Sequence, residues 1–111
     1  MPRILSVSYD PVLLNTRQLL LESRGYNVTS AEGFIDALDT CKRGGYDLLI
    51  IGHSIPPSDK RAIVREANRY CPSPILALLR QNEPQLEGAT ESVDASRPEL
   101  LLHAVEQLLA N

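Results

Sequence analysis

The stretch DLLIIGHSIPPSDK, residues 47–60, decides how the rest of the chain is read. Leu48, Leu49, Ile50 and Ile51 form a continuous apolar run, which suits a central parallel strand covered by helices on both faces. A proline-marked loop follows, and Ser58 can cap a helix carrying Ile63, Ala67, Tyr70 and Cys71 inward. In open parallel sheets chemistry is placed where strands run out at their carboxyl ends, and here that end carries Gly52, His53 and Ser54.

Strands and helices alternate on both sides of this stretch. Upstream, residues 3–8 read as a strand, and Asp10-Pro11 opens a helix that runs to about Arg24 and stops at Gly25. The Asp carboxylate accepts orphan backbone N–H groups, and Pro at the first helical position has no N–H to waste. Residues 26–30 form a short second strand, and a second helix places Phe34, Ala37, Leu38 and Cys41 on one face before Gly44-Gly45 ends it.

Downstream, the Pro72-Ser73-Pro74 turn leads into a fourth strand at residues 75–79. Residues 80–88 contain Pro84 and little periodicity, so at most one helical turn is expected there. A weak fifth strand lies near residues 91–93. Ser96 and Glu99 have capping-box spacing at the start of a last helix reaching Leu109. Such alternation with right-handed crossovers predicts a flavodoxin-like α/β fold, a five-stranded parallel sheet of order 2-1-3-4-5 with helices on both faces.

The bulk numbers narrow the function classes. A length of 111 residues predicts one domain spanning 1–111, and 43% hydrophobic with 23% charged residues is the composition of a folding globular chain. The net charge of −3, with no run of like charges, gives no pull toward nucleic acid or anionic membrane. No signal peptide or membrane-spanning run is evident, so a cytoplasmic location is expected. Cys41 and Cys71 lack metal-ligand or redox spacing and are expected to be small, buried and reduced; no metal or cofactor is expected.

At this point the chain resembles a response-regulator receiver domain, the phosphorylatable module of two-component signalling. The likeness covers nearly all 111 residues. Leu20-Leu21-Glu22 and Gly25-Tyr26 match the way the family ends its first helix. Asp47 to Ile51 match its third strand, and Pro56 and Asp59 match the loop after its phosphorylated aspartate. That register implies a degenerate receiver. The phosphoacceptor position falls on Gly52, the acidic pair on Ser8 and Tyr9, the hydroxyl position on Leu79, and the lysine position on Asp94 or Ala95. The residues 80–88 are also several residues short of the stretch that holds the family's fourth helix, which is expected to be shortened or absent.

Aspartyl phosphorylation needs a carboxylate nucleophile, Mg²⁺ held by neighbouring carboxylates, and a lysine and hydroxyl for the developing charge. All five positions are changed, so a receiver that signals without phosphorylation is expected. Its partner is a protein, not nucleic acid or membrane. His53 is a loop residue with nucleophilic chemistry, and alternation points it away from Gly52. Ser8, Tyr9, Gly52 and Ser54 offer an alternative, a crevice that senses a small ligand. Arg61, Arg65 and Arg69 recur every four residues, with Lys60 beside them, as a solvated basic stripe.

The last helix carries apolar residues over an arc of roughly 200°, wider than one core-facing stripe requires. Leu100, Leu102 and Leu109 form the edges of that arc. They are expected to be exposed, and so to form a homodimer or partner surface, unless residues 80–88 cover them.

Overall fold

The apolar run at residues 48–51 is the central strand. The structure, a computed structural model, describes residues 1–110. In chain order the elements are β1 (Arg3–Ser8), α1 (Pro11–Glu22), β2 (Asn27–Glu32), α2 (Phe34–Lys42), β3 (Leu48–Ile51), α3 (Pro57–Tyr70), β4 (Ile75–Leu79), β5 (Glu91–Asp94) and α4 (Pro98–Leu109). All strand pairs are parallel and the order is β2-β1-β3-β4-β5, as the alternation predicts.

The pleat divides the strand residues between two apolar layers. Ile4, Leu48, Ile50, Leu76 and Leu78 face α1 and α4, where Leu21, Leu101, Ala104 and Val105 meet them. Leu5, Val7, Leu49, Ile51 and Ile75 face α2 and α3, against Ala37, Ile63, Val64 and Ala67. Each fully buried aliphatic side chain contributes about 1.5–3 kcal/mol. β3 supplies both layers because all four of its side chains are buried.

Asp10 caps α1 as expected, its carboxylate accepting from the backbone N–H groups of Val12 (2.9 Å) and Leu13 (3.4 Å). Between β4 and β5 no helix forms among the described residues. Leu86 and Ala89 of this connection pack instead on the α2–α3 layer. A Cβ on Gly88 would stand 2.8 Å from Val64 Cγ1, so the loop can lie against α3 only with glycine at that point.

Several local expectations are corrected. Ser58 does not cap α3; the helix begins at Pro57 with no side-chain cap, because the preceding prolines set the chain direction. Tyr70 is 44% exposed, with the Lys42 and Arg69 side chains over its ring. The capping box at α4 does not close: the Ser96 hydroxyl and N–H both donate to Asp94 Oδ1, and Glu99 pairs with Arg97. Cys41 and Cys71 are buried but joined through their sulfurs, since packing α2 on α3 brings their Cα atoms to 5.7 Å, within disulfide reach.

Candidate functional site

The carboxyl ends of β1, β3, β4 and β5 bring Ser8, Tyr9, Gly52, Leu79 and Asp94 to one edge of the sheet. The polar groups there satisfy one another. Ser8 Oγ is 3.0 Å from Ser54 Oγ and accepts the Asp10 N–H at 3.1 Å. The Tyr9 hydroxyl donates to Asp59 Oδ2 at 2.8 Å, tying the end of β1 to the first turn of α3. Burial, then the hydrogen bond to Asp59 and its charge, push the Tyr9 phenol up to about 12. Leu79 is buried opposite Asp94, whose carboxyl is held below its usual range by the Ser96 N–H and hydroxyl.

Gly52 is buried where β1 and β3 close on each other, its N–H donating to Val7 O at 2.9 Å. A Cβ at this residue would stand 2.9 Å from Val7 O and 3.3 Å from both Ser8 Cβ and Arg17 Nη1. The space above the glycine is therefore taken by neighbours. Arg17 is the unforeseen one among them: it projects inward from α1 between Leu14 and Leu21 and is only 6% exposed. Its Nη1 donates to Ser6 Oγ at 3.3 Å, and burial pulls its pKa down to about 10, still cationic at neutral pH.

His53, one residue on, takes no part in the hydrogen bonds of Ser8 and Tyr9. It lines a cavity of about 460 Å³ with Leu79, Arg80, Asp94 and Ser96, and a smaller one of about 130 Å³ with Arg17, Leu20, Leu78 and Pro98. Its Nδ1 is buried without a partner among the described residues. Burial, then the charges of Arg17, Lys60 and Arg80, hold its pKa below the ordinary value, against a smaller opposing effect of Glu83. Arg80 is fixed at the rim by donating from Nε to His53 O (2.9 Å) and from Nη2 to Ser54 O (3.1 Å).

Lys60 is not part of a solvated stripe. It is fully buried, and its ammonium donates to both carboxylate oxygens of Glu83 at 2.9 Å and to Leu78 O at 3.1 Å. Glu83 Oε1 also accepts the Arg80 N–H at 2.8 Å. Burial raises the Glu83 pKa, but the Arg80 N–H and the Lys60 ammonium outweigh it and the net shift is downward. The pair pins the start of the β4–β5 loop onto α3. Arg61, Arg65 and Arg69 are exposed, as expected.

Mg²⁺, which the fold class brings to mind, does not fit these residues. Among the described residues no group of three His, Cys, Asp or Glu side chains could hold a metal. The nearby Asp10 carboxylate is spent on capping α1 and that of Asp59 on Tyr9, while Arg17 places a positive charge beside Gly52.

The apolar edges of α4 are mostly covered from within. Leu100, Leu102 and Leu109 are half-buried, and Leu102 and Leu109 pack on the α1–α4 layer. The cover does not come from residues 80–88, whose Leu86 packs on the opposite face of the sheet, but from the α1–α4 core itself; open clefts remain beside Leu109, toward Met1, Pro2 and Pro74, and beside Leu102, toward Arg24 and Tyr26. Within the described helices the large exposed aliphatic side chains are Val12 (70%) and Leu19 (61%) on α1 and Ile35 on α2, and Met1 is exposed ahead of β1.

Arg17, Arg80 and Glu83 were not singled out from the sequence, and Lys60 was placed on the solvated stripe of α3. For two of them a signal existed. Leu14, Arg17 and Leu21 share one helical face, as do Lys60, Ile63, Val64 and Ala67, so each cation stands at an inward position.

Comparison with solved structures decides the fold. A response regulator protein, TrrA from Thermotoga maritima, in complex with Mg²⁺-BeF, superposes with a TM-score of 0.87 at 25% identity, covering 98% of this chain and 100% of that one. This is a receiver fold. TrrA in complex with the histidine kinase ThkA matches with a TM-score of 0.84, also at 25% identity, over 98% of this chain and 99% of that one. A two-component response regulator from Clostridium difficile gives 0.88 at 19% identity over 100% and 98% of the two chains. The receiver-fold neighbours belong to two-component signalling and include a kinase-bound protein. No protein-family model and no curated protein matches the chain.

Proposed function

We propose that the chain is a non-catalytic receiver-like module that signals without being phosphorylated, by binding a protein partner in a two-component or phosphorelay pathway. The observation that carries this reading is at Gly52, where no carboxylate is present, a Cβ would press on Val7 O, and the nearest charge is the Arg17 guanidinium. Ser8, Tyr9, Leu79 and Asp94 are then the degenerate acidic-pair, hydroxyl and lysine positions, and residues 1–111 act as one cytoplasmic domain that is not an enzyme.

Receiver-fold neighbours include one bound to a histidine kinase, which makes a kinase or another protein of the same pathway the fitting partner. The docking face we favour is the exposed side of α1 with the neighbouring edge of α4, which meet at Arg24, Leu102 and Glu106. Val12 and Leu19 are its exposed apolar side chains, with the half-buried Leu102 beside Arg24 and Tyr26. A homodimer would use the same face.

The test is solution mass and capture of a pathway kinase from the source cell by the tagged chain, with and without acetyl phosphate and Mg²⁺. Binding or self-association should be unaffected by the phosphodonor and lost in Leu19→Glu. A monomer that captures no signalling protein, or binding that requires the phosphodonor, contradicts the reading.

A further inference from the structure

Among the described residues Arg17 has no counter-charge. A buried cation costs several kcal/mol unless it is paired, and proteins ordinarily supply a carboxylate for it. No salt bridge among the described residues involves Arg17, and its one side-chain hydrogen bond goes to a neutral hydroxyl at 3.3 Å. His53 leaves a buried Nδ1 unpartnered and, with Ala95, lines both the smaller cavity that Arg17 borders and the larger one, where Arg80 is clamped at the rim by two carbonyl groups. The lining residues of these two cavities include one carboxylate, Asp94, and it is turned to Ser96.

We propose that these two cavities, which meet at His53 and Ala95, form one oxyanion site in which Arg17, His53 and Arg80 receive a small dianion, inorganic phosphate or a phosphate monoester, with no divalent cation. The polarity is the reverse of a carboxylate cluster built for Mg²⁺. A guanidinium fork suits oxyanion geometry, and a partly dehydrated site strengthens each charge-assisted bond. Gly52 contributes by projecting no side chain toward Arg17, and a cavity of about 460 Å³ leaves room for an organic group beyond the phosphate. The dianion is held noncovalently. The inference does not rest on the protein-docking reading, since Val12 and Leu19, which carry that reading, line neither cavity.

The experiment is titration of the whole chain with inorganic phosphate at constant ionic strength and with EDTA present, followed by NMR of the backbone amides, the arginine side chains and the His53 ring. Methyl phosphate and acetate are run in parallel. Saturable shifts centred on Arg17, His53 and Arg80 are expected, with methyl phosphate binding at least as well and acetate much more weakly. Arg80→Ala, at an exposed residue whose loss leaves the core intact, should weaken binding about tenfold or more, the effect of one charge-assisted hydrogen bond. Arg17→Met should do the same if it folds, and Arg65→Ala should change nothing. Shifts that never saturate, that centre on the α3 arginines, that acetate reproduces equally, or that survive Arg80→Ala unchanged would overturn the proposal.

Discussion

The Lys60 ammonium and the Glu83 carboxylate meet in a two-pronged ion pair, with Nζ 2.9 Å from each carboxylate oxygen and Lys60 wholly shielded from solvent. It ties α3 to the helix-free connection between β4 and β5. Removing one partner leaves the other charge in a dry site, which costs about 3–5 kcal/mol. Glu83→Gln is therefore expected to lower stability by about that amount in urea unfolding, whereas Lys60→Met with Glu83→Leu should recover most of the loss. A loss under about 1 kcal/mol for Glu83→Gln would place the pair among ordinary surface contacts.

The same carboxylate sets a pH dependence. The folded-state pKa of Glu83 lies below its ordinary value, so its contribution is present above the unfolded pKa and is lost as pH falls through the folded one. Acid melting curves should show this loss below about pH 4.5, and Glu83→Gln should remove it.

His53 acts in the opposite sense. Its folded-state pKa is lowered, chiefly by burial, so as pH falls below about 6.5 the unfolded chain takes up a proton that the folded chain refuses. Stability should decline through that window and level off below the folded pKa. His53→Ala should flatten this part of the thermal-stability profile, and an unchanged slope would show that the proton is taken up elsewhere.

At the end of β3, Gly52→Ala should destabilise by about 1–3 kcal/mol, the cost of forcing a methyl group into filled space. The Cβ would press on a backbone carbonyl that is itself hydrogen-bonded to residue 52 and has little freedom to give. A neutral effect by chemical denaturation would mean that β1 and β3 can part at this point.

Much of the fold was legible because apolar periodicity reports directly on burial. The run at residues 48–51 announced a strand covered on both faces, and the spacing of Gly25, the paired glycines at 44–45 and the prolines at 72 and 74 marked the breaks. The receiver register likewise brought Ser8, Tyr9, Gly52, Leu79 and Asp94 to one edge. What stayed hidden depended on tertiary partners. Lys60 and Arg17 are charged residues at inward positions, and the rule that charges face water reads them as surface until Glu83 and Ser6 are seen beside them. Ser58 and Ser96 had the chemistry of caps, but proline geometry at one and the nearby Asp94 carboxylate at the other drew the chain elsewhere. The pairing of Cys41 with Cys71 could not be read from a separation of 30 residues because it follows from how α2 packs on α3.

The central claim, that signalling here proceeds without phosphorylation, is tested most directly by intact-mass measurement of the chain after incubation with acetyl phosphate and Mg²⁺. With Gly52 lacking a nucleophile and Arg17 beside it, the mass should be unchanged by the phosphodonor. A Mg²⁺-dependent gain of one phosphoryl group, above all one abolished by His53→Ala, would contradict the account.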